Sequence, residues 1–494
     1  MLLSNRSRHA FALGASALAL SACAAVGPNF KPPAGPTGAA ARGYAMQGDS
    51  APSGVRLTPD ARTAGPWWQA FGSPELDATI RQALADSPTL AEARATLQRA
   101  RAQAAATRGQ QLPQVDLNGS AQRERINLAA FGFSGFPGLP PLSNPEISLY
   151  SVGGTVNYDL DLFGGKRRAT ERAQAQAEQA ARQADAAYLT LSGNVALQAM
   201  QIAGLRAQIA AVNDIIAGDQ RVIDMVRRAQ AVGGEASTAV TGGLSQLATD
   251  QALLPPLLRQ LDQARHDMAV LGGKSPAEWT APDFDMAKLA VPADVPISVP
   301  SELVRRRPDI LAAEAEMHAA TAAIGVAVAN QYPGLRLSAN ITQSALDPAK
   351  LFNYNATGWQ LLAGVAAPIF HGGTLKAERQ AAEAEARASL ARYQQTVIRA
   401  FAQVSDVLSD LGTDQAQIAS LQTSVDAAQS NLNDAQNAYR LGGGPLIDVV
   451  DAQRALSRSR SNLVAAQGRR LSDLVQLYTA TAADWRAPTR TTSG

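Results

Sequence analysis

Val156-Asn157-Tyr158-Asp159-Leu160-Asp161-Leu162 alternates apolar and polar side chains, and Phe163-Gly164-Gly165 closes the stretch. Period-two alternation puts one set of side chains on each face of a β-strand. From Lys166 to about Val232 the chain carries no proline and is rich in Ala, Gln, Arg and Leu. That reads as a single helix of about 65 residues, about 100 Å long at 1.5 Å per residue. Such a length is far beyond globular helices and points to a coiled coil or a helical tube.

The same text occurs twice. Asp86-Ser87-Pro88-Thr89-Leu90 opens a segment that runs to Gln111-Leu112-Pro113, and Arg307-Pro308-Asp309-Ile310 opens one that runs to Gln331-Tyr332-Pro333. Pro88 and Pro308, Ala100 and Ala320, Gln111 and Gln331, and Pro113 and Pro333 all keep a spacing of about 220 residues. Phe163-Gly164-Gly165 answers Phe370-His371-Gly372-Gly373, and Val232-Gly233-Gly234 answers Leu441-Gly442-Gly443. A duplicated fold suggests a quasi-symmetric ring in which both halves use their segments alike. Thr374 to about Leu441 is the second long helix. Shorter helices, Thr89–Gln111 with Glu235–Leu271 and Asp309–Gln331 with Leu446–Ala480, are placed to lie end to end beside the long ones. Pro255-Pro256 is expected to kink the second of these.

Three further stretches alternate: Val115 to Gln122, Leu335 to Thr342, and Trp359 to Ile369. Loops at about 128–145 and 344–355 join the four strands into two hairpins. Four strands cannot close a barrel, and an open sheet edge in lipid leaves backbone groups unpaired at several kcal/mol each. Several chains must pool strands; two would fill their own interior, whereas three give twelve strands and a lumen. Asn157, Asp159 and Asp161 then line the inside, while Val156, Tyr158, Leu160 and Leu162 meet lipid. A soluble sheet with one wet face is the alternative that alternation alone leaves open.

The formal charge is +2, and the first 22 residues hold Arg6 and Arg8 and no acid; without them 44 − 2 = 42 bases meet 42 acids. A neutral chain argues against a nucleic-acid binder, which presents a basic face. His9, His266, His318 and His371 are scattered and form no metal-ligand spacing. The single cysteine, Cys23, excludes an internal disulfide. Ala10 to Leu20 is a short apolar run behind two arginines, the pattern of a signal peptide. Leu20-Ser21-Ala22-Cys23 looks like a lipobox, which would leave Cys23 first and acylated; an ordinary signal peptide with a chance cysteine is the alternative. Residues 24–66, rich in Pro, Gly and Ala, read as an extended tether. No nucleophile–base set, metal cluster or phosphate-cradling Gly-rich loop is visible, so no enzyme and no cofactor is expected.

The chain resembles the TolC-like outer-membrane efflux proteins, and more closely their NodT-type lipoprotein branch. The resemblance covers about residues 20–480. It is carried by Cys23-Ala24-Ala25-Val26-Gly27-Pro28-Asn29-Phe30, Trp67-Trp68 with Phe71 and Leu76, Arg306-Arg307-Pro308-Asp309-Ile310, Pro368-Ile369-Phe370 with Gly372-Gly373, and Asp448 to Gln453. It implies a mainly α fold with a small β part. In that fold a homotrimer pools four strands per chain into a 12-stranded outer-membrane β-barrel continued by a long periplasmic α-helical barrel. The expected division is a signal peptide at 1–22, a lipidated tether at 23–66, efflux repeats at 67–272 and 300–484, a linker at 273–299 and a tail at 485–494.

The resemblance further implies the exit duct of a tripartite efflux pump, in the outer membrane and extending into the periplasm. Its partners are a periplasmic adaptor and an inner-membrane pump, proton-driven, with outer-membrane lipid around the barrel and no nucleic acid. Cys23 carries a diacylglycerol and an N-acyl chain. Gly233, Gly234, Gly442 and Gly443 form the tips that the adaptor touches. Tyr439, Asp448 and Asp451 form the periplasmic gate, two rings of carboxylates in a trimer that attract cations. Asp448 and Asp451 share a helix face; a merely solvated face is the alternative. Gly444 stands where some relatives carry a basic latch, and the chain from Ala480 to Trp485 lacks a Gly run usual there. Arg305–Arg307 reads as a solvated turn ahead of Pro308, Trp67-Trp68 as packing, His371 as structural, and the aromatics from Phe131 to Phe136 as an external loop. A structural lipoprotein that ties membrane to periplasm by coiled coil is the competing function.

Overall fold

The computed structural model describes residues 25–37, 43–44, 46, 56–59, 66–127, 144–292, 294–297 and 299–482. Cys23, the signal segment, the Phe131–Phe136 loop and the tail at 485–494 lie outside them. The elements run β1 (Arg56–Pro59), a 3-10 turn (Trp67–Phe71), α1 (Pro74–Asp86), α2 (Pro88–Gly109), β2 (Gln114–Arg125), β3 (Glu146–Leu160), α3 (Gly165–Ala231), α4 (Ser237–Gln251), α5 (Leu254–Leu271), β4 (Asp294–Ile297), α6 (Pro300–Arg306), α7 (Pro308–Ala329), β5 (Gly334–Ala345), β6 (Thr357–Ala366), α8 (Thr374–Arg440) and α9 (Leu446–Ala480). The duplication is plain in the lengths. α2 and α7 each have 22 residues, β2 and β5 each 12, and α3 and α8 each 67. The chain divides into two compact units, residues 1–32, 98–178 and 314–391, and residues 33–97, 179–313 and 392–494.

The first unit is built on one antiparallel sheet of order β2-β3-β5-β6, so the two hairpins meet along β3 and β5. The register aligns the alternation across all four strands. Val115 faces Val156, Val156 faces Ala339, and Ala339 faces Leu361. Asp116, Thr155, Asn340 and Gln360 form the neighbouring row on the other face. The sheet is thus apolar on one side and polar on the other. Leu117, Trp359, Leu361 and Val365 are exposed on the apolar side of the single chain. On the polar side Arg336 Nε donates to Asp159 at 2.7 Å, Asn340 Nδ2 to Gln360 at 3.2 Å, and the Ser151 and Ser344 hydroxyls pair at 3.0 Å. The strands differ from their sequence reading at the ends. β3 starts at Glu146, because pairing with β2 carries it through Gly153-Gly154, where alternation fades. Leu162 lies past its end: the Asp161 carboxylate turns to accept the Lys166 and Arg167 amides, at 3.0 and 2.8 Å, and caps α3.

The repeated glutamines have a repeated job. Gln111 Nε2 donates to the Lys166 carbonyl and Gln331 Nε2 to the Leu375 carbonyl, each at 3.2 Å, tying a short helix to the first turn of a long one. The start of the tether is held in the same unit. Arg168, 4% exposed, donates to the Val26 and Gly27 carbonyls and to Asn29 Oδ1, and Phe30 stacks on His318 at 4.4 Å. Gly27 has φ +90°, and a Cβ there would come within 2.5 Å of Gly325 Cα.

The second unit holds the main core. Trp67 and Phe71 are fully buried against Tyr478, with Trp67 stacked on Tyr478 at 5.6 Å, and Leu76, Ile80, Met200, Ile202, Met268, Leu303 and Leu474 surround them. This fits the packing role read for Trp67-Trp68. Three details correct the sequence reading. Residues 56–59, assigned to the tether, form β1 and pair in parallel with β4. Pro255-Pro256 does not kink one helix but separates two, because proline lacks the amide that the α4 ladder needs. Arg307 is not a solvated turn: it grips Asp309 at 3.0 Å, the Ala480 carbonyl at 2.9 Å and Gln403 at 2.8 Å.

Candidate functional site

Each long helix reverses in a glycine turn. In the first, Gly233 has φ +79°, its amide donates to Gln230 O at 2.9 Å, and the Gly234 amide donates to Ala229 O at 2.9 Å. In the second, Gly442 has φ +75°, its amide donates to Tyr439 O at 3.0 Å, and the Gly443 amide to Ala438 O at 2.9 Å. Both are Schellman closures, in which the left-handed residue must lack a Cβ to avoid strain. All four tip glycines read from sequence therefore act in turn geometry.

Below the turns an apolar cluster holds the helices together. Val222, Val226, Leu432, Leu446, Val449, Ala452 and Leu456 form it, with Tyr439 and Ala239 packed at its edge. α9 supplies Leu446, Val449, Ala452 and Leu456 at helical spacing, which forces the intervening residues outward. Asp448 and Asp451 are those residues, and both are exposed. Asp448 also lies in the first turn of α9, where the helix dipole favours an anion. Arg454 Nη1 donates to Asp451 Oδ1 at 3.2 Å, one turn along. This guanidinium was not anticipated; the i,i+3 spacing of Asp451 and Arg454 is the signal that would have found it. The structure thus places both carboxylates on the outward face of α9, and Tyr439 with the packing beneath them. The positions 209 residues earlier, Ala239 and Gly242, carry no charge. Among the described residues no group of three or more His, Cys, Asp or Glu is placed to hold a metal ion.

Comparison with known proteins agrees with this architecture. The family model described as outer membrane efflux protein matches residues 79–274 and 299–483. The chain is 30% identical over 432 residues to the pyoverdine export outer membrane protein OpmQ of Pseudomonas aeruginosa, covering 87% of this chain and 89% of that one. It is 27% identical over 456 residues to nodulation protein T of Rhizobium leguminosarum bv. trifolii, covering 91% and 92%. The solved structure of the outer-membrane channel OprN superposes with a TM-score of 0.82 at 26% identity, over 93% of this chain and 99% of that one. The chain belongs to the outer membrane efflux protein family. Its fold is that of trimeric TolC-like channels, so four strands per chain make a barrel of 3 × 4 = 12. It is an outer-membrane efflux channel component that extends into the periplasm, not an enzyme.

Proposed function

We propose that the chain is a passive exit duct of a tripartite pump, closed at its periplasmic end by an iris of Asp448 and Asp451. The observation that carries this reading is the exposed carboxylate pair on α9, backed by a buried apolar stripe and absent from the equivalent helix of the first repeat. Three copies would set six carboxylates around one axis, where the rings draw in cations that bridge them and hold the pore narrow. The energy for transport comes from an inner-membrane pump, proton-driven, and a periplasmic adaptor docks on the turns at Gly233-Gly234 and Gly442-Gly443. Cys23, with its lipobox, is acylated and adds a second membrane attachment to the barrel; more than one chain makes such anchoring stable. The cargo is set by the pump, because a wide polar lumen selects weakly.

Planar-bilayer conductance of the purified trimer tests the iris. Asp448→Ala with Asp451→Ala is expected to raise conductance and weaken cation preference; unchanged current and selectivity would remove these residues from the gate. A protein that conducts no ions at all would instead be a coiled-coil strut. Lipid labelling that persists in Cys23→Ser would end the anchoring reading.

A further inference from the structure

Two carboxyl pairs lie inside the helical hairpins, the first one turn beyond Val222 of the tip stripe and the second farther along α8 and α9. Asp219 on α3 faces Asp250 on α4, and Asp414 on α8 faces Asp473 on α9. Asp219 is 8% exposed and Asp414 7%, and Oδ2 of each is buried without a hydrogen-bond partner among the described residues. Two ionised carboxylates in contact at such depth repel strongly. One proton between them removes a charge and supplies the donor that the orphan oxygen lacks.

The surroundings favour that proton. Beside Asp219 stand Asp250 and, among the described residues that act on it, the cation Arg454, whose Nη1 is already committed to Asp451. Gln246 Nε2 donates to Asp250 Oδ2 at 2.8 Å. Around Asp473 stand Asp414, Asp410 and the cation Arg469, which donates to Gln417 at 2.9 Å. Gln476 Nε2 donates to Asp473 Oδ1 at 3.3 Å. The first site thus sets two carboxyls, and the second three, against one guanidinium among the described groups that act on them. Burial first, then the neighbouring carboxyl, pushes Asp219 and Asp473 up to about 7.

The two pairs are not copies of each other. Shifted by the 209 residues that relate the tips, Asp219 and Asp250 fall on Ala428 and Ser459, and Asp414 and Asp473 fall on Leu205 and Ala264. Each repeat carries its own pair at its own level, so they are not a by-product of the duplication.

We propose that Asp219/Asp250 and Asp414/Asp473 are proton-binding sites, each sharing one proton that ties a long helix to its shorter partner. A raised carboxyl in the folded state contributes stability that is full below the ordinary carboxylate range. That contribution is lost as pH rises through about 7. Proton release therefore loosens both hairpins. In the first it also turns a second carboxylate on Arg454, which then divides itself between the α3–α4 pair and Asp451. The proposal does not depend on the iris, because hairpin packing is measured without current.

The test uses the full-length trimer in detergent across about pH 5 to about pH 9. Infrared spectroscopy should find protonated-carboxyl C=O absorption that disappears with a midpoint near 7 and is missing in Asp250→Asn/Asp473→Asn. Hydrogen exchange, corrected for intrinsic rate, should quicken around residues 219, 250, 414 and 473 over the same range. In the double variant it should stay level, since an Asn amide donates to Asp219 and Asp414 at every pH. The proposal is overturned by wild-type carboxyls that all titrate in the ordinary range, by flat wild-type protection, or by an undiminished step in the double variant. The wild-type titration decides the matter even if the variant does not assemble.

Discussion

The two helical tips share one backbone and differ in chemistry. Both close through a left-handed glycine and a bond of 2.9 Å from the second glycine to the carbonyl five residues back. Both then feed a helix that packs on the same apolar cluster. Yet the second tip is followed by Asp448 and Asp451, and the first by Ala239 and Gly242 at the matching places. Duplication has kept what reverses the chain and abandoned what faces outward from α9. Turn geometry has few solutions and tolerates little change, whereas an exposed helix face is free to diverge and take on a function in one copy only.

The largest expected effect separates the buried from the exposed face of α9. Val449→Asp places an unpaired charge in the tip cluster and should cost about 3–5 kcal/mol of stability, whereas Asp448→Ala should stay within about 0.5 kcal/mol; equal losses in chemical denaturation would erase the distinction between the faces. Next, Gly233→Ala and Gly442→Ala should each cost about 1–2 kcal/mol, because a Cβ is strained in the left-handed region. A marked inequality between them would show that the tips are not equivalent turns. Smaller again, Asp448→Ala with Asp451→Ala should raise single-channel conductance several-fold, an opening bias of about 1 kcal/mol by the tenfold-per-1.4 rule; Gly242→Asp in the first repeat should not reproduce cation preference if the gate belongs to one copy. The smallest effect concerns the repeated junctions. Gln111→Ala and Gln331→Ala should each lose about 0.5–1.5 kcal/mol in thermal unfolding, and a tenfold larger loss at one would break the symmetry of the pair.

Much of the fold was legible because its signals are local. Period-two alternation marked the four strands, and proline-free stretches marked α3 and α8 to within a residue or two. The tip glycines and the outward carboxylates were legible for the same reason: a Gly-Gly after a long helix and an Asp pair at i,i+3 are read from neighbours in sequence. What stayed hidden involves partners far apart. Nothing near Arg307 announced Ala480 and Gln403, nothing near Arg168 announced the backbone at Val26 and Gly27, and nothing near Asp219 announced Asp250 and Arg454. Residues 56–59 read as tether because a four-residue edge strand has no periodicity of its own until β4 lies beside it.

The sequence by itself determined the repeat, the strand and helix periods and the impossibility of closing four strands into a barrel. These follow from backbone hydrogen bonding and side-chain alternation, which act within a few residues. Only the tertiary structure decided which arginines are clamps and which carboxyls are buried against one another. Burial and charge proximity arise when distant helices meet, and a buried carboxyl differs from an exposed one only by what has been packed against it.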